Sequence, residues 1–173
     1  MGLLSRSEKL PPDVRAALSL DRGDRVLAHG RLDDDSWVVA TSASLIRSDG
    51  TTAASCAWCD VDRGSWDPES STLTVTWVDG HAPLLLRIAE PTKTSLMRVF
   101  RERVQASVVM SETVPLGAGL TARVAVRKDH VGNLLTQVVG DAGADLSAPL
   151  AQAAVRSALT RLRSASGAPP EAW

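Results

Sequence analysis

The chain has no tyrosine, one phenylalanine, two cysteines, three histidines and three lysines among its 173 residues. Each scarcity narrows the function. Two cysteines cannot build a disulfide framework, which agrees with a reducing compartment. Apolar runs are short and broken by Ser, Thr, Gly or Pro, so no segment reads as a membrane span. Residues 1–7 lack the apolar core of a signal peptide, and Arg6 stands where a myristoylation signal places Ser or Thr. These readings together predict a cytoplasmic protein. His29, His81 and His130 are scattered, with no H-x-x-x-H or H-E-x-x-H spacing. Gly117-Ala118-Gly119 and the glycines at 140 and 143 build neither G-x-G-x-x-G nor a phosphate loop. No cofactor and no metal is therefore expected.

What is present is ordinary globular composition, 44% hydrophobic and 23% charged, enough for one substantial core or two small ones. Net charge is −1, yet the halves differ: 9 Lys/Arg against 14 Asp/Glu over residues 1–90, and 10 against 6 over 91–173. A basic second half suits an acidic partner, phosphate or headgroups, or the two halves attract each other. Arginine supplies all but three of the cations. With abundant alanine and few aromatics, this looks like GC-rich coding, so the arginine count carries little functional weight.

Cys56-Ala57-Trp58-Cys59 is the one motif that invites a mechanism. A redox dithiol needs a helix N-terminus to lower the attacking thiol's pKa. Here Asp60-Val61-Asp62-Arg63 follows, reading as strand, and the two acids would raise it. Zinc needs four ligands, and only His29 and His81 could complete the set. A structural role for both cysteines is the better reading. Asp33-Asp34-Asp35 lacks the alternation, Gly and distant Glu of a calcium loop and reads as a solvated turn. Asp60 and Asp62 would share one strand face, as a carboxylate pair or, preferably, as a hydrated face partnered by Arg25 or Arg63. Trp37, Trp58, Trp66 and Trp77 are expected to fill a core.

Pro11-Pro12-Asp13 opens a short helix with Val14, Ala17 and Leu18 on one face. Period-two patterning then predicts strands at 25–32, 37–41, 43–47, 58–66, 72–77 and 84–88. Pro91 stops the sheet. An amphipathic helix follows from about Thr92 to 106, marked by Leu96, Val99, Phe100, Arg103, Val104 and Ser107, with Thr92 or Thr94 as cap. The Val-Leu-Ala-His-Gly strand, the Trp-Val-Val-Ala-Thr-Ser strand, the Ala-Trp-Cys-Asp-Val-Asp strand and the closing helix together resemble a pleckstrin-homology-like (PH/GRAM-type) bacterial domain. The run 101–109 is also similar to actinobacterial proteins of this size, a likeness that implies no activity. The PH-like resemblance covers about half the chain. It implies an antiparallel curved sheet closed by a helix, and a scaffold that holds a partner without doing chemistry.

Strands at 108–114, 120–127 and 134–139 and a helix at 149–163 make up the remainder, with Leu150, Ala153, Ala154, Ala158, Leu159 and Leu162 on the helix's inner side. The expected fold is α+β. An N-terminal lead with a short helix (1–23) precedes a PH-like module (24–106). A smaller three-stranded sheet plus helix (107–164) packs on it, and a disordered tail (165–173) ends the chain. The expected function is a non-catalytic binding module for a protein partner. The alternative is nucleic-acid or anion binding by the basic half through Arg123, Arg127, Lys128, Arg156, Arg161 and Arg163. The order α-β-β-β-α over 92–163 also matches a double-stranded-RNA-binding domain, although its first helix is already needed to close the PH-like sheet.

Overall fold

A computed structural model describes residues 9–169. The fold is α+β, with three antiparallel sheets and three α-helices. No helix among the described residues is long and apolar enough to cross a membrane. The contacts divide into two compact units: residues up to Trp77 with His81–Gln105, and Val78–Gly80 with Ala106 onward.

In the first unit, α1 (Pro12–Ala17) starts on a proline, whose missing N–H is no loss in a first turn. Val14 and Leu18 are buried, as their shared face requires. Strands β1 (Val26–Arg31), β2 (Trp37–Thr41), β3 (Ser44–Ser48) and β4 (Ala53–Ala57) then form a meander in that order. The register pairs Gly30 with Val38, Val38 with Arg47 and Leu45 with Cys56, so these residues share one face. Val39 and Ile46 take the other face and pack with Leu18, Leu10, Leu20 and Val26. Both faces of β2 are thus covered, and all five of its residues are buried. That explains an apolar run without alternation.

Strand β4 was not expected. Ala53-Ala54-Ser55-Cys56-Ala57 has no β-branched or aromatic residue, and pairing with β3 alone makes it a strand. The strand expected at 58–66 starts later. Trp58–Asp60 is a 3-10 turn, and β5 runs over Val61–Asp67. Asp60 and Asp62 therefore do not share a strand face. Strands β6 (Thr72–Trp77) and β7 (Leu84–Arg87) complete a second meander, β5-β6-β7. An isolated antiparallel bridge between Leu32 and Ile88 links the ends of β1 and β7, flanked by Ala89 N–H to Arg31 O and Asp33 N–H to Arg87 O.

The helix expected from Thr92 is in part a 3-10 turn, Pro91–Lys93, before α2 (Leu96–Ser107). Of the two candidate capping residues, the Thr94 hydroxyl takes the role: it accepts the Leu96 N–H and donates to His29 O. Leu96, Val99 and Phe100 enter the core formed by Val38, Leu45, Val61, Leu73, Val75 and Leu86. Gly64 on β5 leaves the space that the Phe100 ring fills.

The second unit pairs β8 (Val108–Gly117), β9 (Leu120–Lys128) and β10 (Leu134–Gly140) in the order β10-β9-β8. Pro115 is tolerated because β8 is an edge strand. Helix α3 (Pro149–Ser166) buries Ala151, Ala158 and Leu162, and its core includes Val114, Val124 and Val126. Leu150 is 85% exposed, and Ala153 is exposed too. The buried stripe runs 151, 154, 155, 158, 162, which places 150 and 153 one step around the helix from it. The helix also continues past 163 to Ser166, ending on Gly167 at φ +73°, and Ala168 packs on the core. The stretch expected as tail thus begins inside this helix, at 165. Residues 170–173 of that tail, and residues 1–8 of the N-terminal lead, lie outside the described residues.

Candidate functional site

Between the inner faces of β2–β4 and the strands β6 and β7 lies a recess of about 280 Å3. Its floor is Val38, Leu45 and Leu86, each at most 2% exposed. Trp77 and Leu84 form a wall, with the Trp77 indole N–H satisfied by Ala82 O at 3.0 Å. The space exists because on this face β4 offers only Ala54 and Cys56 where larger side chains would fill it.

The Asp33–Asp35 turn stands at the same end of β2 and β3. Three ion pairs leave it for three strands: Asp33 with Arg87 on β7, Asp34 with Arg47 on β3, and Asp35 with Arg31 on β1. Asp35 adopts φ +63°, which aspartate tolerates in a tight turn. The Ser36 hydroxyl donates to Asp34 at 2.5 Å and accepts from Arg47 Nε at 3.3 Å. The Ser36 hydroxyl, then its N–H and Arg47, hold the Asp34 carboxyl below its ordinary range despite partial desolvation. The turn is solvated, as expected, and in addition carries these three ion pairs.

Neither cysteine is in a disulfide. Cys56 lies on β4, and burial, then the Asp60 charge, push its thiol up to about 11. Its S–H donates to Leu45 O at 3.6 Å. Cys59 sits in the 3-10 turn, buried, with Sγ 3.9 Å from Asp60 Oδ1. A thiol held neutral is a poor nucleophile, so Cys56 is not activated for redox attack. No group of three or more His, Cys, Asp or Glu among the described residues could hold a metal ion. His29 stacks at a tilt on Trp37, with ring centroids 5.7 Å apart. His29 and His81 lie in the first unit, and His130 lies in the second. Trp37 and Trp58 are buried, while Trp66 and Trp77 are half-buried against the core.

The six basic candidates divide between the two faces of the second sheet. Arg123 and Arg127 alternate with Val124 and Val126 on β9, so they face away from α3. Arg127 is 2% exposed and donates to the Ser107 hydroxyl at 3.0 Å. On the helix side, Arg161 grips Glu112 of β8 through Nε and Nη2 at 3.3 and 2.5 Å. That bond raises its pKa above the ordinary value. Arg163 reaches the other way, to Thr136 of β10 at 2.9 Å. The helix thus straddles the sheet with one arginine toward each edge strand. Arg156 and Lys128 are exposed.

No protein-family model, curated protein or solved structure matches the chain. The functional reading therefore rests on the geometry itself.

Proposed function

We propose that the chain is a non-catalytic, cytoplasmic interaction module, PH-like in its first unit, that binds a protein partner. The observation that carries this reading is the strand plan of that unit. A four-stranded and a three-stranded antiparallel meander are linked through the Leu32–Ile88 bridge, and α2 supplies Leu96, Val99 and Phe100 to the core that both sheets line. The resemblance implies an antiparallel curved sheet closed by a helix, the order of strands followed by α2 supports that reading, and such scaffolds hold partners on their surface. The non-catalytic reading is supported by the neutral Cys56 thiol. Fold analogy alone does not assign a function, so the partner has to be captured. The tagged full-length chain is purified from its native host with and without nuclease, and bound material is identified by mass spectrometry. A stoichiometric protein that survives nuclease is the expected result. Material that disappears with nuclease overturns it in favour of nucleic-acid binding by the basic half.

A further inference from the structure

We propose that the exposed edge of β4 is an antiparallel strand-addition site for a partner segment that is apolar at alternate positions and basic at its ends. The inference rests on the protein-partner reading and gives that partner a place and a chemistry. β4 is the last strand of its sheet, and Ala53, Ala54 and Ser55 are exposed. The register, with the Asp49 N–H bonded to Thr52 O, makes Ala54 and Cys56 the residues that bond to β3. Ala53, Ser55 and Ala57 therefore turn their main-chain N–H and C=O outward, where no strand among the described residues pairs with them. Such edges are ordinarily blunted by charge, proline or a bulge. The edge strand β8 carries Glu112, Pro115 and two breaks in register, whereas β4 has none of these devices.

The outward main-chain groups select the occupant, because an extended backbone satisfies them in series. Antiparallel addition continues the direction of the sheet. Side-chain direction then sets the pattern. Ala54 and Cys56 point into the recess, whereas Ser55 pairs with Ile46, points to the opposite face and borders the recess by its main chain. Every second side chain of an added strand would share the face of Ala54 and Cys56, toward Leu45, Trp77 and Leu84. Charge sets the ends. Asp49 and Asp60 flank β4 and are exposed, while Arg47 at the recess is paired with Asp34. A second copy added antiparallel about Ser55 would bring Asp49 of each chain toward Asp60 of the other, which disfavours self-pairing. A segment with lysine or arginine at each end meets both acids instead.

The test titrates the isotope-labelled full-length chain with the capped peptide Lys-Val-Thr-Val-Thr-Val-Lys and follows the Ser55 amide resonance. A saturable shift is expected. With the valines over the recess, the threonines lie opposite Ser55 and its outward neighbours and exchange the main-chain bonds. N-methylation of both threonines should therefore weaken binding by at least about tenfold, and N-methylation of the valines should not. Glutamate in place of both lysines should weaken it about tenfold at low salt. Ser55→Pro removes an outward N–H without touching a bond to β3, and it should also cost about tenfold. The methylated peptides act on the wild-type chain, so they decide the matter even if Ser55→Pro does not fold. No saturable shift, or undiminished binding of the threonine-methylated peptide, overturns the site. Equal binding of the glutamate peptide overturns the basic-end assignment, and a dimer of the free chain abolished by Ser55→Pro replaces the partner segment with a second copy. A host protein that binds Ser55→Pro as tightly as wild type overturns this site while leaving the protein-partner reading in place.

Discussion

Gly64 shows how much one missing methyl can decide. Its backbone does not need glycine's left-handed freedom; what it needs is space. A Cβ there would lie 2.3 Å from Phe100 Cε1 and 2.9 Å from Cζ. Phe100 is itself held edge-on against Trp58, with centroids 5.7 Å apart, and the Trp58 N–H is fixed by Thr41 O at 3.0 Å. The ring therefore has no slack on its far side, and a methyl group on β5 would push α2 away from the sheet. Gly64→Ala is expected to cost about 1–3 kcal/mol, read as a lower urea midpoint at unchanged slope. Combining it with Phe100→Leu should recover part of that loss, because the two residues are in contact and their effects are not additive. Full additivity would show that the strain lies elsewhere.

At the scale of elements, the Asp33–Asp35 turn ties three strands whose arginines come from positions 31, 47 and 87. Asp34 is favoured as a carboxylate in the folded state, so its contribution is fully present at neutral pH. It fades as pH falls through the ordinary value of 3.8 toward the lower folded value. Wild type should accordingly exceed Asp34→Asn in urea stability at pH 7, by no more than about 1 kcal/mol because the pair is half exposed. The gap should close as pH drops below 3.8; a gap independent of pH would assign the effect to packing. Only the Arg31–Asp35 link of this clamp is local enough to read from spacing. The same limit governs the rest of the molecule. Thr72–Trp77 is legible because alternation there coincides with one buried face, and Leu120–Lys128 because Ala122, Val124 and Val126 alternate with polar residues even though Ala125 and Arg127 are buried too. Strand β4 is illegible because alanine, serine and cysteine carry no strand preference, and the recess that β4 creates is defined by what those side chains leave empty. The Trp58–Asp60 turn hid inside an apparent strand because its tryptophan and cysteine are buried all the same. On α3 the 3.6-residue period was visible, but its phase was not: Leu150 is apolar and near the start, yet it falls off the buried stripe.

On the scale of the whole chain, the imbalance of −5 in the first ninety residues and +4 in the remainder does not translate into one acidic and one basic surface. Many of the acids serve local structure. Asp49 and Asp67 accept backbone N–H groups within their own turns, Asp24 and Asp141 do the same across strands, and the three consecutive aspartates neutralise arginines. The cations of the second unit are similarly committed. Arg127 is interior, Arg161 is held by Glu112 in a two-pronged bond, and Arg163 is drawn onto Thr136. Arg123 faces away from α3, and of the exposed members Arg156, Lys128 and Arg161 the last is bound to Glu112. Nucleic-acid affinity depends on salt with a slope near −0.9 per phosphate neutralised, so a continuous six-cation surface would give a slope of roughly −5. The dispersal seen here predicts a slope shallower than about −3 and weak binding overall. Fluorescence anisotropy of a labelled RNA duplex, titrated with the full-length chain at several salt concentrations, measures it. Tight binding with a slope near −5 would mean that the arginines leave Glu112 and Thr136 on contact with phosphate. In that case, Glu112→Gln should strengthen binding by freeing Arg161.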